Sequence, residues 1–154
     1  MARGIMGAPR SGPRGADRLN LRDDRVCFGC GELNPIGLKM RFVKTPEGVE
    51  AVFVPQKNHQ GYADLLHGGL MSLILDEAMV NAVWLSGVPA VSVEIRVRLR
   101  QAVRVGETLR IRGWIVDSRK QLVMTRSEAR NESGRVVAEA EAKCLRGASR
   151  QDKK

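Results

Sequence analysis

The chain has 154 residues, of which 43% are hydrophobic, and a formal net charge of +9. This is the size of one ordinary domain, and it is apolar enough to bury a core without disulfides or a metal. The basic excess lies mainly at the ends, because residues 1–25 and 146–154 carry +3 each and leave +3 for the body, which argues against a nucleic-acid surface on the body.

Residues 1–25 are rich in Gly, Pro, Arg and Ala and are predicted to be a disordered basic tail. They have no apolar stretch typical of a secretory signal, and three cysteines cannot all pair with one another, so we expect a cytoplasmic protein. A solvated tail is preferred over a nucleic-acid arm, because no aromatic residue precedes Phe28. Residues 26–146 are predicted to form the folded domain and residues 147–154 a second basic tail.

Two strands are predicted before the first helix. A loop punctuated by Gly and Pro runs from Cys27 to Gly37 and leads into a strand over residues 38–44. A turn at residues 45–48 and a second strand over residues 49–55 complete a hairpin.

A long helix is predicted over residues 66–86, ended by Gly87 and Pro89. Its apolar residues occupy nearly every side, which is typical of a helix surrounded by protein. The run is long enough to span a membrane, but it contains polar residues that are costly in lipid, so we predict a buried helix and no membrane span: His67, Asp76, Glu77 and Asn81.

Four strands are predicted after the helix. Residues 91–99 alternate apolar and polar side chains with a period of two. Further strands are marked by Leu109 to Ile115, by Leu122 and Met124 after a turn at residues 117–121, and by alternating residues from Val136 to Cys144. The order predicts an α+β fold, an antiparallel sheet of about six strands wrapped around one long central helix.

The front of the helix carries the pair Gly68-Gly69, where backbone N–H groups have no partner within the helix. Two glycines let a substrate carbonyl approach the backbone, and such a site can stabilise the oxyanion that forms when a thioester is attacked. The same pair is also compatible with close packing of a helix start and no chemistry.

Asp76 is a carboxylate in a strongly apolar helix, where burial raises the pKa and suits a general base or nucleophile. A hydrogen-bonded structural Asp76, or a solvent-facing Glu77, is the alternative. Gly69 and Asp76 are seven residues apart, about 10 Å along the axis, too far for one helix to place both at one carbonyl. A second copy of the chain with an antiparallel helix would bring the two groups together.

The segment His67-Gly-Gly-Leu-Met-Ser-Leu-Ile-Leu-Asp76 resembles the helix signature of the PaaI-like branch of hotdog-fold acyl-CoA thioesterases. The start Cys27-Phe-Gly-Cys30-Gly, the pair Gln60-Gly61 before the helix and the turn Gly106-Glu107 are similar to that group, over residues 26–146. The resemblance implies a hotdog fold in which Asp76 activates water or attacks the thioester. It also implies that the Gly68 N–H forms the oxyanion hole and that a partner subunit completes the site, in a homodimer or a homotetramer built as a dimer of dimers.

Two departures from the pattern bear on the remaining site residues. Some members have Asn six residues before the His of the helix signature, where this chain has Gly61, and Asn58, His59 or Gln60 could take its role. Others have Ser or Thr on the strand after the helix, and Ser92 is in a suitable place, opposite the apolar face of its strand. His67 is half a turn out of phase with Asp76 and is interpreted as positioning the glycine turn or contacting substrate. The resemblance thus makes Asp76 and Gly68 catalytic, with these substrate-binding candidates: His67, Gly69, Gly61, Asn58 and Ser92.

No metal or cofactor is predicted. Cys27-x-x-Cys30 is half of a zinc knuckle and the sequence offers no matching second pair, while Cys144 alternates with alanines as a small core residue. A metal shared at Cys27 and Cys30, or a redox pair, remains a minor alternative.

The resulting hypothesis is an acyl-CoA thioesterase that hydrolyses an aromatic or fatty acyl-CoA to free acid and CoA. CoA is anionic and would be attracted by the basic tails or by Arg96, Arg98 and Arg100. The main alternative is a non-catalytic acyl-CoA-binding hotdog protein. A dehydratase is disfavoured, because no Asp on the helix is followed five residues later by His.

Overall fold

Six β-strands and one long helix form the part of the chain that the computed structural model describes, residues 20–147. The tails predicted at residues 1–25 and 147–154 lie outside it except for residues 20–25 and residue 147. No helix within residues 20–147 is long and apolar enough to cross a membrane. In chain order the elements are β1 (Val43–Thr45), β2 (Gly48–Phe53), a 3-10 turn (Lys57–His59), α1 (Gly68–Trp84), β3 (Ala90–Leu99), β4 (Leu109–Arg119), β5 (Leu122–Arg130) and β6 (Val136–Arg146).

The strands form one antiparallel sheet in the order β1-β2-β4-β5-β6-β3, which confirms the predicted fold class. Short turns join β4 to β5 and β5 to β6, with positive φ at Lys120 (52°) and Gly134 (80°). The first of these turns is narrower than residues 117–121, because β4 continues to Arg119. β3 does not pair with β4 but crosses to the far edge, beside β6.

Helix α1 lies against the inner face of the sheet, and its core-facing side chains are fully buried. It approaches β4 so closely that a Cβ on Gly113 would lie 2.3 Å from the carbonyl oxygen of Ala78. Helix and sheet backbones can come this near only because position 113 has no side chain. The helix is two residues shorter at each end than predicted, a difference usual at helix termini.

The strand predicted over residues 38–44 is wrong in its first part, because β1 covers only Val43–Thr45. The preceding residues pair instead with the cysteine loop: Leu38 N–H donates to Phe28 O at 2.8 Å, and Met40 N–H donates to Gly29 O at 2.9 Å. Lys39 between them has a positive φ of 53°, which an extended strand does not have. This segment therefore holds the cysteine loop against the core.

The predicted position of Ser92 opposite the apolar face of β3 is also wrong. A β-bulge between Ser92 and Glu94 leaves Val93 without a cross-strand partner and shifts the alternation by one residue. Ser92 pairs with Cys144, and Ile95 pairs with Ala142. Because Cys144 and Ala142 are both buried, Ser92 and Ile95 share the face turned toward the core.

Candidate active site

The start of helix α1 is organised around the imidazole of His67. Its Nδ1 accepts a hydrogen bond of 2.9 Å from Gly69 N–H, and so caps the helix. A Cβ on Gly69 would lie 3.0 Å from the ring, and one on Gly61 would lie 3.2 Å from it. Both glycines therefore leave room for His67, which positions the helix start.

Gly68 is the first residue of α1, and its N–H lies at the positive end of the helix dipole. Within residues 20–147 no hydrogen bond takes up this N–H, whereas that of Gly69 is occupied by His67. Gly68 packs against the tip of Leu99, which would be 2.9 Å from an added Cβ. The Gly68 N–H can therefore donate to a carbonyl oxygen that enters from outside the chain.

A cleft of about 670 Å³ opens in front of this helix start. Gly61, His67 and Gly68 all line it, together with apolar side chains such as Met71 and Leu99. The structure thus brings three of the predicted site residues together. Asn58 does not line the cleft; it is exposed in the 3-10 turn Lys57–His59.

Asp76 lies two helical turns further along α1, half-buried on the side of the helix that faces the sheet. Its Oδ1 is buried and has no hydrogen-bond partner within residues 20–147. Burial raises the pKa of this carboxyl above its ordinary value, and the nearby Glu77 charge adds to the rise, whereas the Ser92 side chain lowers the pKa by hydrogen bonding. Asp76 therefore has the environment of a proton acceptor rather than that of a paired structural acid.

One residue that sequence reasoning placed only in the core lies close to Asp76, and a second lies next to that residue. Cys144, directly across from Ser92, feels the Asp76 charge, which with burial raises the pKa of its thiol. The Thr125 hydroxyl lies 3.6 Å from the Cys144 sulfur and is itself buried. The alternation of side chains along β5 and β6 indicates that Thr125 and Cys144 point inward. The sequence around Asp76 gives no sign that they lie near it.

The cleft and the carboxylate do not meet within one chain. Neither Asp76 nor Ser92 lines the cleft at Gly68, and the rise of the helix separates Gly68 from Asp76 by about 12 Å. One chain therefore has the Gly68 N–H, unpaired in the described part of the chain, in one place and the half-buried Asp76 carboxylate in another.

Glu77 does not project into solvent as an ordinary polar residue. One of its oxygens accepts a hydrogen bond of 3.0 Å from the Asn81 amide, and both oxygens lie 3.6 Å from the Cys27 sulfur. Burial and the Glu77 carboxylate together raise the pKa of the Cys30 thiol far above its usual range. Cys27, Cys30 and Glu77 are the group of side chains within residues 20–147 that could hold a metal ion.

Arg96 and Arg98 of β3 lie on the exposed face of the sheet, whereas Arg100, just after the strand, also lines the cleft at Gly68. Arg96 pairs with Glu141 at 3.3 Å, and Arg100 pairs with Glu139 at 2.6 Å. Arg96 is largely exposed and the other three side chains are 40–44% exposed, so solvent screens the pairs and they contribute little to stability. Their charges are partly balanced within the chain, which weakens the expectation that they attract an anionic ligand.

Part of the chain is similar to a known protein family. Residues 64–138 match the model of the thioesterase superfamily. No curated protein matches the chain. Among solved structures, smu.793 from Streptococcus mutans UA159, bound to acetyl CoA, is 20% identical over 72% of this chain and 90% of that chain, with a TM-score of 0.67.

Two further structures are similar to the same extent. The E. coli PaaI protein of the phenylacetic acid degradation operon is 20% identical, over 73% of this chain and 82% of that one, with a TM-score of 0.68. A hypothetical thioesterase from Streptococcus pneumoniae TIGR4, with coenzyme A, is 20% identical over 71% of this chain and 90% of that one, with a TM-score of 0.67. Variants of the pneumococcal protein carry alanine in place of an aspartate and of a threonine, at positions 16 residues apart.

Proposed function

We propose that the protein is an acyl-CoA thioesterase, because residues 64–138 match the model of the thioesterase superfamily and the described chain has the hotdog fold. Its substrate would be an aromatic or fatty acyl-CoA, and its products the free acid and CoA. The observation that carries the proposal is Asp76, a half-buried carboxylate with an unpartnered buried oxygen on the central helix.

Asp76 would take the proton from the attacking water. The water oxygen bonds to the thioester carbonyl carbon, the C–S bond breaks, and CoA leaves as a thiolate that regains the proton. Direct attack by Asp76 gives the same products through an acyl anhydride that water then hydrolyses. Both routes need an ionised Asp76, which contacts the attacking water in the first route and the carbonyl carbon in the second.

Ser92 would hold the Asp76 carboxylate or its water in place. The Ser92 side chain is close enough to lower the pKa of the Asp76 carboxyl, which supports this role. So does their spacing, because Asp76 and Ser92 are 16 residues apart, as are the aspartate and threonine replaced in the pneumococcal protein. Serine and threonine offer the same hydroxyl.

The Gly68 N–H would stabilise the oxyanion that forms on the carbonyl oxygen. Since Gly68 and Asp76 do not meet within one chain, the working unit would be a homodimer in which Gly68 of one copy serves with Asp76 of the other. The exposed edge strand β3 supports such pairing, because three of its apolar side chains are about half exposed: Val93, Ile95 and Leu99.

The test is hydrolysis of a panel of aromatic, short-chain and long-chain acyl-CoAs by wild type and Asp76→Asn. We expect turnover of at least one class and a loss of about 10²–10⁴-fold in Asp76→Asn. Asp117→Asn is the matched control, because Asp117 is an exposed carboxylate paired with Arg119 at 2.8 Å. Binding of acyl-CoA without turnover of any class would replace the proposal with the acyl-CoA-binding alternative.

A further inference from the structure

The loop that begins at Cys27 lies against α1 so that two sulfurs and one carboxylate converge. The ligand atoms of Cys27, Cys30 and Glu77 all lie within 4.8 Å of one another. Glu77 is 50 residues away from Cys27 in the chain, so the fold and not the local sequence brings it to the cysteines. We propose that Cys27, Cys30 and Glu77 bind a divalent metal ion, and that the ion is Zn²⁺.

The loop has the geometry that such a site needs. Gly31 N–H donates to Cys27 O at 2.9 Å and closes a tight turn that carries both cysteines. A Cβ on Gly29 would lie 2.5 Å from the Glu77 carboxyl carbon, so the absence of a side chain there admits the carboxylate. The turn presents the two sulfurs to Glu77 with nothing between them.

The loop is fixed before any ion binds. The backbone pairs made by Leu38 and Met40 with Phe28 and Gly29 tie it to the following segment. The Asn34 amide donates to Val26 O at 3.1 Å, just before Cys27. A preformed site loses little conformational freedom when it binds an ion.

Glu77 has the outer partner that metal-binding carboxylates usually have. The Asn81 amide donates to Glu77 Oε1 at 3.0 Å and to the Glu77 carbonyl oxygen at 2.9 Å. This fixes the carboxylate and leaves its second oxygen for an ion. Such partners typically change metal affinity 10–100-fold when they are removed.

The donor set selects the ion. Two thiolates and one carboxylate suit Zn²⁺, whereas Mg²⁺ and Ca²⁺ prefer oxygen alone. Three protein ligands leave one tetrahedral position, and exposure of Cys27 to solvent allows water to fill it. The ion would join the cysteine loop to α1 beside the proposed reactive carboxylate.

The experiment uses the full chain, purified without a metal-binding tag and kept reduced. We expect about one zinc per chain by elemental analysis. After the zinc is removed with a chelator, added Co²⁺ should produce a thiolate-to-cobalt charge-transfer band and the visible bands of tetrahedral cobalt. These readouts do not depend on thioester turnover, so they stand or fall separately from the proposed function.

Variants assign the ligands. Cys27→Ser, Cys30→Ser and Glu77→Gln should each weaken Co²⁺ binding by more than about 100-fold, beyond the effect of an outer-shell change. Cys144→Ala is the matched control, since this third cysteine lies in the core away from the group, and it should bind Co²⁺ as wild type does. Folding of each variant is checked by circular dichroism. If a cysteine variant unfolds, Glu77→Gln, which preserves the side-chain shape, is the variant that decides the test.

Two results would overturn the proposal. One is a reduced, folded wild type that gives no cobalt charge-transfer band at millimolar Co²⁺. The other is a Glu77→Gln variant that binds Co²⁺ as tightly as wild type, which would leave Cys27 and Cys30 as a pair of thiols hydrogen-bonded to a carboxylate.

Discussion

Two inactive variants of this protein are expected to restore activity to each other if Gly68 of one copy works with Asp76 of the other. Asp76→Asn removes the proton acceptor. Gly68→Pro removes the N–H and preserves the helix, because proline is favoured at the first helical position. His67 already has the extended backbone, φ −63° and ψ 129°, that a residue before proline adopts.

Gly68→Ala is the control for the proline variant. Alanine and proline add the same Cβ, and its near neighbour is the flexible tip of Leu99, 2.9 Å away. Alanine retains the N–H and should stay within a few-fold of wild type. Gly68→Pro should lose about 10²–10³-fold in kcat, the usual loss for one oxyanion donor.

The recovered activity follows from the symmetry of the dimer. When equal amounts of Gly68→Pro and Asp76→Asn subunits exchange freely, half of the dimers contain one copy of each. In such a dimer one site has both defects, and the other pairs an intact Gly68 with an intact Asp76. One intact site in half of the dimers gives about a quarter of the wild-type activity.

The assay mixes the two variants, allows subunit exchange, and measures hydrolysis of the best acyl-CoA against time. Mixing Gly68→Pro with the double variant is the control, because none of those dimers has an intact site. Activity that stays at the level of the separate variants, although mass spectrometry shows mixed dimers, would mean that both groups act within one chain. A monomer in solution would refute the reasoning as well.

Two other predictions follow from contacts of α1. In chelator-treated protein, kcat/KM should rise with pH through a midpoint above 3.8, because the ionised form of Asp76 is active and burial raises its pKa. Ser92→Ala should move the midpoint higher, because the Ser92 side chain lowers the pKa of Asp76. Ser92→Thr keeps the hydroxyl and should not move the midpoint. Gly113→Ala should destabilise by about 1–3 kcal/mol in urea unfolding and reduce turnover, because Ala78 must move away from the new Cβ. Gly134→Ala is the control: it should lower the free energy of unfolding by about 1–2 kcal/mol through its positive φ alone and leave turnover unchanged. Equal turnover in the two alanine variants would contradict the inference that Gly113 affects turnover through its contact with Ala78.

The fold was predictable because two periodicities dominate the sequence. A helix that is apolar on nearly every side must be surrounded, and only a curved sheet made from the remaining strands is available to surround it. The site residues near the helix start were predictable because they are close together in the sequence. The chain itself carries the glycines at 61, 68 and 69 next to His67, and local spacing is enough to place them.

The failures have a different physical origin. The face of Ser92 was wrong because a bulge adds one residue to β3 without disturbing the visible alternation of apolar and polar letters. The partnership of Glu77 with Cys27 was missed because it joins residues 50 apart, and no periodicity reports such a contact. The two cysteines therefore looked like half of a metal site, whereas the third proposed ligand, Glu77, is on the helix.

Asp76 and Glu77 are neighbours in sequence but point about 100° apart around the helix axis, and they face different parts of the molecule. Asp76 faces β3 and β6, where Ser92 offers a hydroxyl. The Oδ1 atom of Asp76 is buried there, so little water can reach it. Glu77 faces the cysteine loop. Since Ala78, the next residue, lies against the bare backbone of Gly113, this stretch of α1 is held on the sheet side and on the loop side at once. A reactive carboxylate needs such rigid support, so the cysteine loop and Gly113 should control the position of Asp76 although neither touches it.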